Sequence, residues 1–277
     1  MLQRYRPQDA EAALPPPRRY VYWDERARVF IRTGCTLLDC VIGGGWPLGR
    51  IVNIVGDKST GKTLLAEEAM ANFLRQFPKG KVWYRETEAA FDVSYAKALG
   101  VNTDLVDFGP DGPDTSWDTV EALFDDMMAQ LGKIEAKVNE QAKLLRQKNK
   151  KLTARQAYAK ALEKSPPGLY IIDSLDAASS EKEMKRDVHE GSYNLDKQKL
   201  MGELFRRLVR RLKRARICVM FISQIRDRIG AMIRGKKYTR TGGKALDFYA
   251  SIVVYLADLG KVNETIKKVQ RTVAIKI

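Results

Sequence analysis

The most constraining stretch of this chain is eight residues long: Gly56-Asp57-Lys58-Ser59-Thr60-Gly61-Lys62-Thr63. It satisfies the pattern G-x-x-x-x-G-K-[ST]. It follows a short apolar run, Ile51-Val52-Asn53-Ile54-Val55, and precedes a segment in which Leu64, Leu65, Ala69, Met70, Phe73 and Leu74 recur at helical spacing. At ordinary residue frequencies the pattern arises by chance at roughly 4 × 10⁻⁵ per position, or about 1% over a chain of this length. Its chemistry is phosphate binding. The glycines let the backbone wrap an anion with its N–H groups turned inward, and the helix N-terminus behind adds positive dipole character. In such a P-loop the lysine, here Lys62, reaches the outer phosphates of a nucleoside triphosphate, and the hydroxyl of Thr63 coordinates Mg2+.

Other segments place this loop in an α/β fold. Apolar runs at 51–55, 81–84, 168–173 and 217–223 suit strands buried on both faces of a parallel sheet. Helical patterns lie between them at 63–76, 94–99, 119–131 and 195–215. Residues 29–33 read as a strand, 36–42 as a short helix, and 248–256 and 272–277 as further strands. Residues 225–244, polar, basic and glycine-containing, read as a mobile loop. Alternating strands and helices predict a mainly parallel twisted sheet with helices on both faces. Asp173 ends the strand Tyr170-Ile171-Ile172 and is the natural second partner for Mg2+. Arg85-Glu86-Thr87-Glu88 follows another strand at the carboxyl edge, where open α/β sheets bind ligands. From spacing alone, Glu86 and Glu88 are both candidates for the base that orients an attacking water.

Charge points to the partner. The 277 residues carry 49 Lys and Arg against 34 Asp and Glu, a net +15. Such an excess favours a polyanion: nucleic acid, an acidic membrane surface or nucleotides. No apolar run approaches the ~20 residues of a membrane span, and no amphipathic Trp- or Phe-rich helix supports a membrane-surface role. The N-terminus has no apolar signal segment. Three cysteines (Cys35, Cys40, Cys218) make no disulfide framework or zinc site, and the single His189 leaves no histidine-based triad. A cytoplasmic location is expected. Residues 1–28, with Pro15, Pro16 and Pro17, read as an N-terminal arm ahead of a core at 29–277. Within that core, residues 133–164 hold ten Lys and Arg against three Glu and read as a basic helical insertion, a hairpin broken near 149–153. It is either a solvated structural insertion or a basic arm facing DNA.

The chain resembles the RecA recombinases over residues 29–277 apart from that insertion. The resemblance rests on Thr33-Gly34-Cys35-Thr36-Leu37-Leu38-Asp39, on Gly49-Arg50-Ile51-Val52, on the P-loop, on Glu88-Ala89-Ala90-Phe91-Asp92 with Tyr95-Ala96-Lys97-Ala98-Leu99-Gly100-Val101, and on Ile172-Asp173-Ser174-Leu175. The most specific segment is Phe221-Ile222-Ser223-Gln224-Ile225-Arg226-Asp227-Arg228-Ile229-Gly230, followed by Thr241-Gly242-Gly243-Lys244-Ala245-Leu246-Asp247-Phe248-Tyr249-Ala250-Ser251. The resemblance implies a RecA-like P-loop NTPase core that uses ATP and Mg2+. It assigns Glu88, rather than Glu86, to water activation and Lys62 to the phosphates. Asp92 and Tyr95 fall near the adenine, and Gln224 senses the γ-phosphate. The first DNA-binding loop takes in or adjoins Ser192, Tyr193 and Lys199. The second contains Arg226, Arg228, Ile229, Gly242 and Gly243. Arg206 matches a backbone contact on the helix between them.

The implied activity is an ATP-dependent recombinase, binding single-stranded DNA as a homo-oligomeric helical filament and duplex DNA during exchange. Two rivals share the same core: a ring-forming helicase or motor, and a DNA-binding mediator with weak ATP turnover. The mediator reading draws on departures from the family. Asp227, Lys244, Asp247 and Val253 stand where bacterial members carry other residues, and Asp247 and Val253 replace expected basic interface positions. On the same expectation the chain lacks the family's C-terminal domain and stops at Ile277, just before two lysines would reach a neighbour's ATP. The expectation is a truncated or divergent member, of a phage-encoded kind.

Overall fold

The computed structural model describes residues 29–277 except 89, 185–194, 228–237, 241–242, 259, 267–268 and 277. The arm at 1–28, Ser192, Tyr193, Arg228, Ile229 and Gly242 lie outside the described residues.

The chain opens with a short antiparallel pair, β1 (Phe30–Ile31) and β2 (Trp46–Pro47), bracketing α1 (Thr36–Val41). Then come β3 (Ile51–Gly56), α2 (Lys62–Gln76), β4 (Lys81–Glu86), α3 (Val93–Ala98) and β5 (Val106–Asp107). A helical hairpin follows, α4 (Val120–Lys148) and α5 (Ala154–Lys164), leading into β6 (Gly168–Asp173). The remainder runs α6 (Glu181–Met184), α7 (Leu195–Ala215), β7 (Ile217–Asp227), β8 (Tyr238–Arg240), α8 (Gly243–Tyr249) and β9 (Ile252–Leu256). It ends with the antiparallel pair β10 (Gly260–Ile266) and β11 (Val269–Lys276).

The main sheet has the order β5-β4-β6-β7-β3-β9, parallel throughout, with β8 added antiparallel to the end of β7. Every residue of β3 and β6 is buried, as their largely apolar runs demand, the polar Asn53 and Asp173 included. Successive side chains go to opposite faces. Val52, Ile54, Val82, Tyr84, Ile171 and Met220 pack with Ala66, Met70 and Phe73 of α2. Ile51, Trp83, Tyr170, Ile172, Val219 and Phe221 pack instead with Phe124 and Met127 of α4 and Phe205, Leu208 and Leu212 of α7. Each fully buried side chain of this size contributes roughly 1.5–3 kcal/mol, so both helical layers are held to the sheet by apolar burial.

Three segments differ from the sequence pattern. The helix expected at 119–131 runs on without a break to Lys148, so the insertion begins inside a helix that the core already starts. Residues 225–244, expected as a loop, begin as the outer end of β7, and β8 pairs back on it from Ile225↔Arg240 to Asp227↔Tyr238. Residues 248–249, expected to open a strand, close α8, because Leu246 needs helical geometry to reach the α7 layer. The pair β10–β11 was legible only in its second strand.

Candidate functional site

Because the strands are parallel, the loops after β3, β4, β6 and β7 gather at one edge of the sheet. The loop after β3 is the P-loop. A Cβ on Gly56 would strike Thr60 Oγ1 and sit 3.0 Å from the Leu256 carbonyl, so only glycine lets the chain turn there. Gly61 caps α2 at φ +89°, in the left-handed region. Thr60 Oγ1 donates to the Asp57 carbonyl (2.9 Å), and the Lys62 ammonium donates to the same oxygen (2.6 Å), lying across the mouth of the loop.

Asp173, at the end of β6, accepts on one oxygen from Thr63 Oγ1 (2.7 Å) and from the Tyr84 hydroxyl (2.8 Å). Burial pushes its carboxyl above the ordinary carboxylate range, against the pull of those two donors. The Thr63 hydroxyl and Asp173 carboxylate are thus already adjacent. These are hard oxygen donors and fit Mg2+, which binds through few protein ligands beside substrate phosphates.

The two glutamates after β4 diverge. Glu86 is buried, and its carboxylate accepts the backbone N–H of Glu88 (3.0 Å). Desolvation, then the charge of Asp173, lifts its pKa to about 7. Glu88 is exposed, and its Oε1 accepts from Ser174 Oγ (2.6 Å) and from Gln224 Nε2 (2.9 Å). Gln224 is held in turn by its own N–H, which donates to Asp176 (2.6 Å). Thr87 joins the strands below: its N–H donates to the Asp173 carbonyl, its hydroxyl to the Ser174 carbonyl, and its oxygen accepts the Ser174 N–H. Lys62, Thr63, Asp173, Glu88 and Gln224 therefore lie along one edge, the last four linked by hydrogen bonds through β4, β6 and β7.

Asp92 caps α3, accepting from the N–H groups of Ser94 (2.8 Å) and Tyr95 (3.0 Å), and the Tyr95 ring stands half exposed beside it. Lys199 and Arg206 are exposed on α7, Arg226 lies in the part of β7 paired with β8, and Gly243 starts α8. Sequence reasoning missed Tyr84, Thr87, Ser174 and Asp176, all within three residues of a strand end. It also missed Glu67, a fully buried carboxyl on α2 whose Oε2 has no partner among the described residues. Glu67 falls three, four and seven residues before Met70, Ala71 and Leu74, so the helical period already placed it on the core face. Burial, then the charges of Asp173, Asp92 and Glu86, raise its pKa to about 7.

No helix among the described residues is long and apolar enough to cross a membrane. The family model of the RecA N-terminal domain matches residues 24–163 and 138–277. Protein RecA of Francisella philomiragia is 31% identical over 248 residues, 89% of this chain and 58% of that one. Protein RecA of Streptomyces venezuelae is 32% identical over 224 residues, 80% of this chain and 48% of its own. Protein RecA of Thioalkalivibrio sulfidiphilus is 29% identical over 248 residues, 89% and 60% of the two chains. This chain thus spans about half to three fifths of the length of these relatives. Carried on a parallel sheet of the expected kind and covering most of its residues, the match means that the chain belongs to the RecA family.

Proposed function

We propose that this protein is an ATP-dependent recombinase that binds single-stranded DNA as a helical filament, with ATP held between subunits and duplex DNA engaged during strand exchange. A protein of this kind works in the cytoplasm. The observation that carries the reading is the Glu88–Gln224 hydrogen bond. It ties a carboxylate beside the P-loop to β7, the strand that leads into the segment assigned by resemblance to the second DNA-binding loop.

In this reading the loop from Gly56 to Thr63 cradles the phosphates with backbone N–H groups, and Lys62 swings from the Asp57 carbonyl to the outer phosphates. Thr63 and Asp173 hold Mg2+, which when bound neutralises charge building on the transferred phosphoryl group. Glu88 takes a proton from the attacking water. Ser174 and Gln224 fix the orientation of its carboxylate, so a change at the γ-phosphate that moves Glu88 also moves Gln224. Asp92 and Tyr95 border the adenine. Lys199, Arg206, Arg226 and Gly243, with Ser192, Tyr193, Arg228, Ile229 and Gly242, contact DNA, by cations and backbone N–H groups on phosphate and by the apolar Ile229 as a wedge between bases.

The test is ATP hydrolysis by the purified chain with and without single-stranded DNA, beside Lys62→Ala. Turnover stimulated by DNA and lost in Lys62→Ala supports the reading. DNA binding that ignores ATP, with no stimulated turnover, rejects it in favour of a mediator. Closed rings and duplex unwinding reject it in favour of a motor.

A further inference from the structure

The α4–α5 hairpin stands away from all of this chemistry. α5 ends at Lys164, just before β6 begins at Gly168, so the hairpin hangs from the amino edge of the sheet, opposite the P-loop. Its two helices share an apolar seam of Val138, Ala142, Ala157 and Ala161. A capping box at Thr153 and Gln156 starts α5. The hairpin is also bolted to the body. Arg211 of α7 pairs with Glu135 (2.8 Å), the Tyr158 hydroxyl donates to the Arg214 carbonyl (3.0 Å), and Arg216 donates to the carbonyls of Leu162, Glu163 and Ser165. A solvated tail needs none of these fixings.

What this scaffold displays is nearly all positive. The ten Lys and Arg of residues 133–164 are exposed, while Glu135 is spent on Arg211, leaving Glu140 and Glu163 as the outward carboxylates. Lys143, Arg146, Gln147 and Lys150 line an open depression of about 400 Å³ near the tip. At the base the cations continue onto α7, where Lys199, Arg206, Arg210 and Lys213 are exposed at helical spacing opposite the buried face. That stripe leads from the start of α7 to the hairpin. Along α4 the exposed cations from Lys133 to Lys148 span ~22 Å at ~1.5 Å per residue.

We propose that the hairpin is a docking arm for the phosphate backbone of duplex DNA, a second nucleic-acid surface separate from the nucleotide edge. The choice of DNA rests on the reading given under Proposed function. The choice of duplex rests on the arm itself. Single-strand sites combine cations with aromatic platforms for stacking. The only aromatic residue in 133–164 is Tyr158, half-buried and hydrogen-bonded to α7. A helical cationic surface with no exposed aromatic platform can follow phosphates across a groove but cannot stack bases.

The test is duplex binding by the full chain between 50 and 200 mM salt, comparing wild type with the triple variant Lys143→Glu, Arg146→Glu, Lys150→Glu. At about 0.9 released counterions per phosphate contact, the salt slope should fall by about three and duplex affinity at least tenfold. ATP turnover stimulated by single-stranded DNA should stay within twofold. A second triple variant, Arg75→Glu, Lys79→Glu, Lys97→Glu, makes the same change in net charge away from the arm and should leave duplex binding near wild type. Lys143→Arg with Lys150→Arg should keep it too. The proposal is overturned if the wild type does not bind duplex, if the arm variant binds like wild type, or if both charge-reversed variants weaken equally. It is also overturned if the arm variant loses only capture of an acidic protein. If single-stranded DNA stimulates no turnover while duplex binding still depends on the arm, the filament reading fails and the docking arm stands.

Discussion

The two edges of the main sheet use charge in opposite ways. At the carboxyl edge the ionisable groups of the site are few and individually fixed, two of them buried: Asp173 by Thr63 and Tyr84, Glu86 by the Glu88 backbone, and the exposed Glu88 by Ser174 and Gln224. At the amino edge they are many, exposed and, among the described residues, mostly without partners fixed in the fold. A buried carboxylate acts over a few ångströms and is barely screened. An exposed cation acts through the summed field, which weakens beyond ~8–10 Å at ordinary ionic strength. The carboxyl edge is therefore suited to chemistry on one phosphate, and the amino edge to adhesion along many. Substitutions at the first should change rates with little dependence on salt, and at the second should change salt slopes with little effect on rates.

The largest effect belongs to Glu88. Glu88→Gln keeps the hydrogen-bonding shape but removes the base, which is worth about 10²–10⁴-fold. Hydrolysis measured in single-turnover assays should fall by that factor while ATP-stabilised DNA binding survives. Normal turnover in Glu88→Gln would show the base to be misassigned. Gln224→Ala sharpens the same point: hydrolysis should persist while ATP loses its influence on DNA affinity.

Next comes Arg85, buried near the carboxyl end of β4, where it ties β5 and α4 to the sheet. Its guanidinium is 1% exposed, pairs with Asp126 (2.8 Å) and Asp107 (3.1 Å), and lies over the Trp117 ring at 4.8 Å. Arg85→Met strands Asp126, whose side chain is 17% exposed, against the core and leaves the half-exposed Asp107 to solvent, a loss of about 3 kcal/mol. Thermal unfolding should show a fall of at least several degrees, largely insensitive to salt. A fall that salt abolishes would mean that the pair behaves as a surface pair.

Glu67 is the third. Its folded pKa of about 7 lies above the ordinary 4.5. Below pH 4.5 it is protonated in both states. Between 4.5 and 7 the unfolded chain ionises first, so the folded state holds the extra proton and stability falls as pH rises, levelling off above 7. At 1.36 kcal/mol per pH unit the whole effect is about 3 kcal/mol. Glu67→Gln should raise the melting temperature at pH 8 by about 5 °C and flatten the curve between pH 5 and 7. An unchanged slope would place the burden on Glu86 and Asp173.

The difference between the edges also explains what the sequence disclosed. The P-loop, Asp173 and the parallel sheet were legible because each combines a short-range pattern with buried strands. Tyr84, Ser174 and Asp176 were not, because a hydrogen bond across strands links residues about 50 to 90 apart, as Tyr84 does with Asp173 and Gln224 with Asp176. Glu86 and Glu88 were indistinguishable by spacing, two residues apart and on the same side of a strand. The turn after Glu86 sends one carboxylate inward and the other out. The basic insertion was visible as composition, but composition could not show that Glu135 turns inward to Arg211 while the cations stay outside.

The smallest effect tests whether the arm is a built platform. The Thr153 side chain accepts from the Gln156 N–H (3.2 Å), and Gln156 Oε1 accepts from the Thr153 N–H (3.0 Å), closing both ends of the first turn of α5. Thr153→Ala removes one acceptor and should cost about 1 kcal/mol. If α5 is merely solvated, the loss appears as local fraying and nothing else. If the arm presents its cations as a rigid surface, faster amide exchange at 154–158 should come with a two- to fivefold weakening of duplex binding, no cation having been touched. Faster exchange with unchanged binding would show that the charges act by number alone, and the contrast between a fixed edge and a field-like edge would be complete.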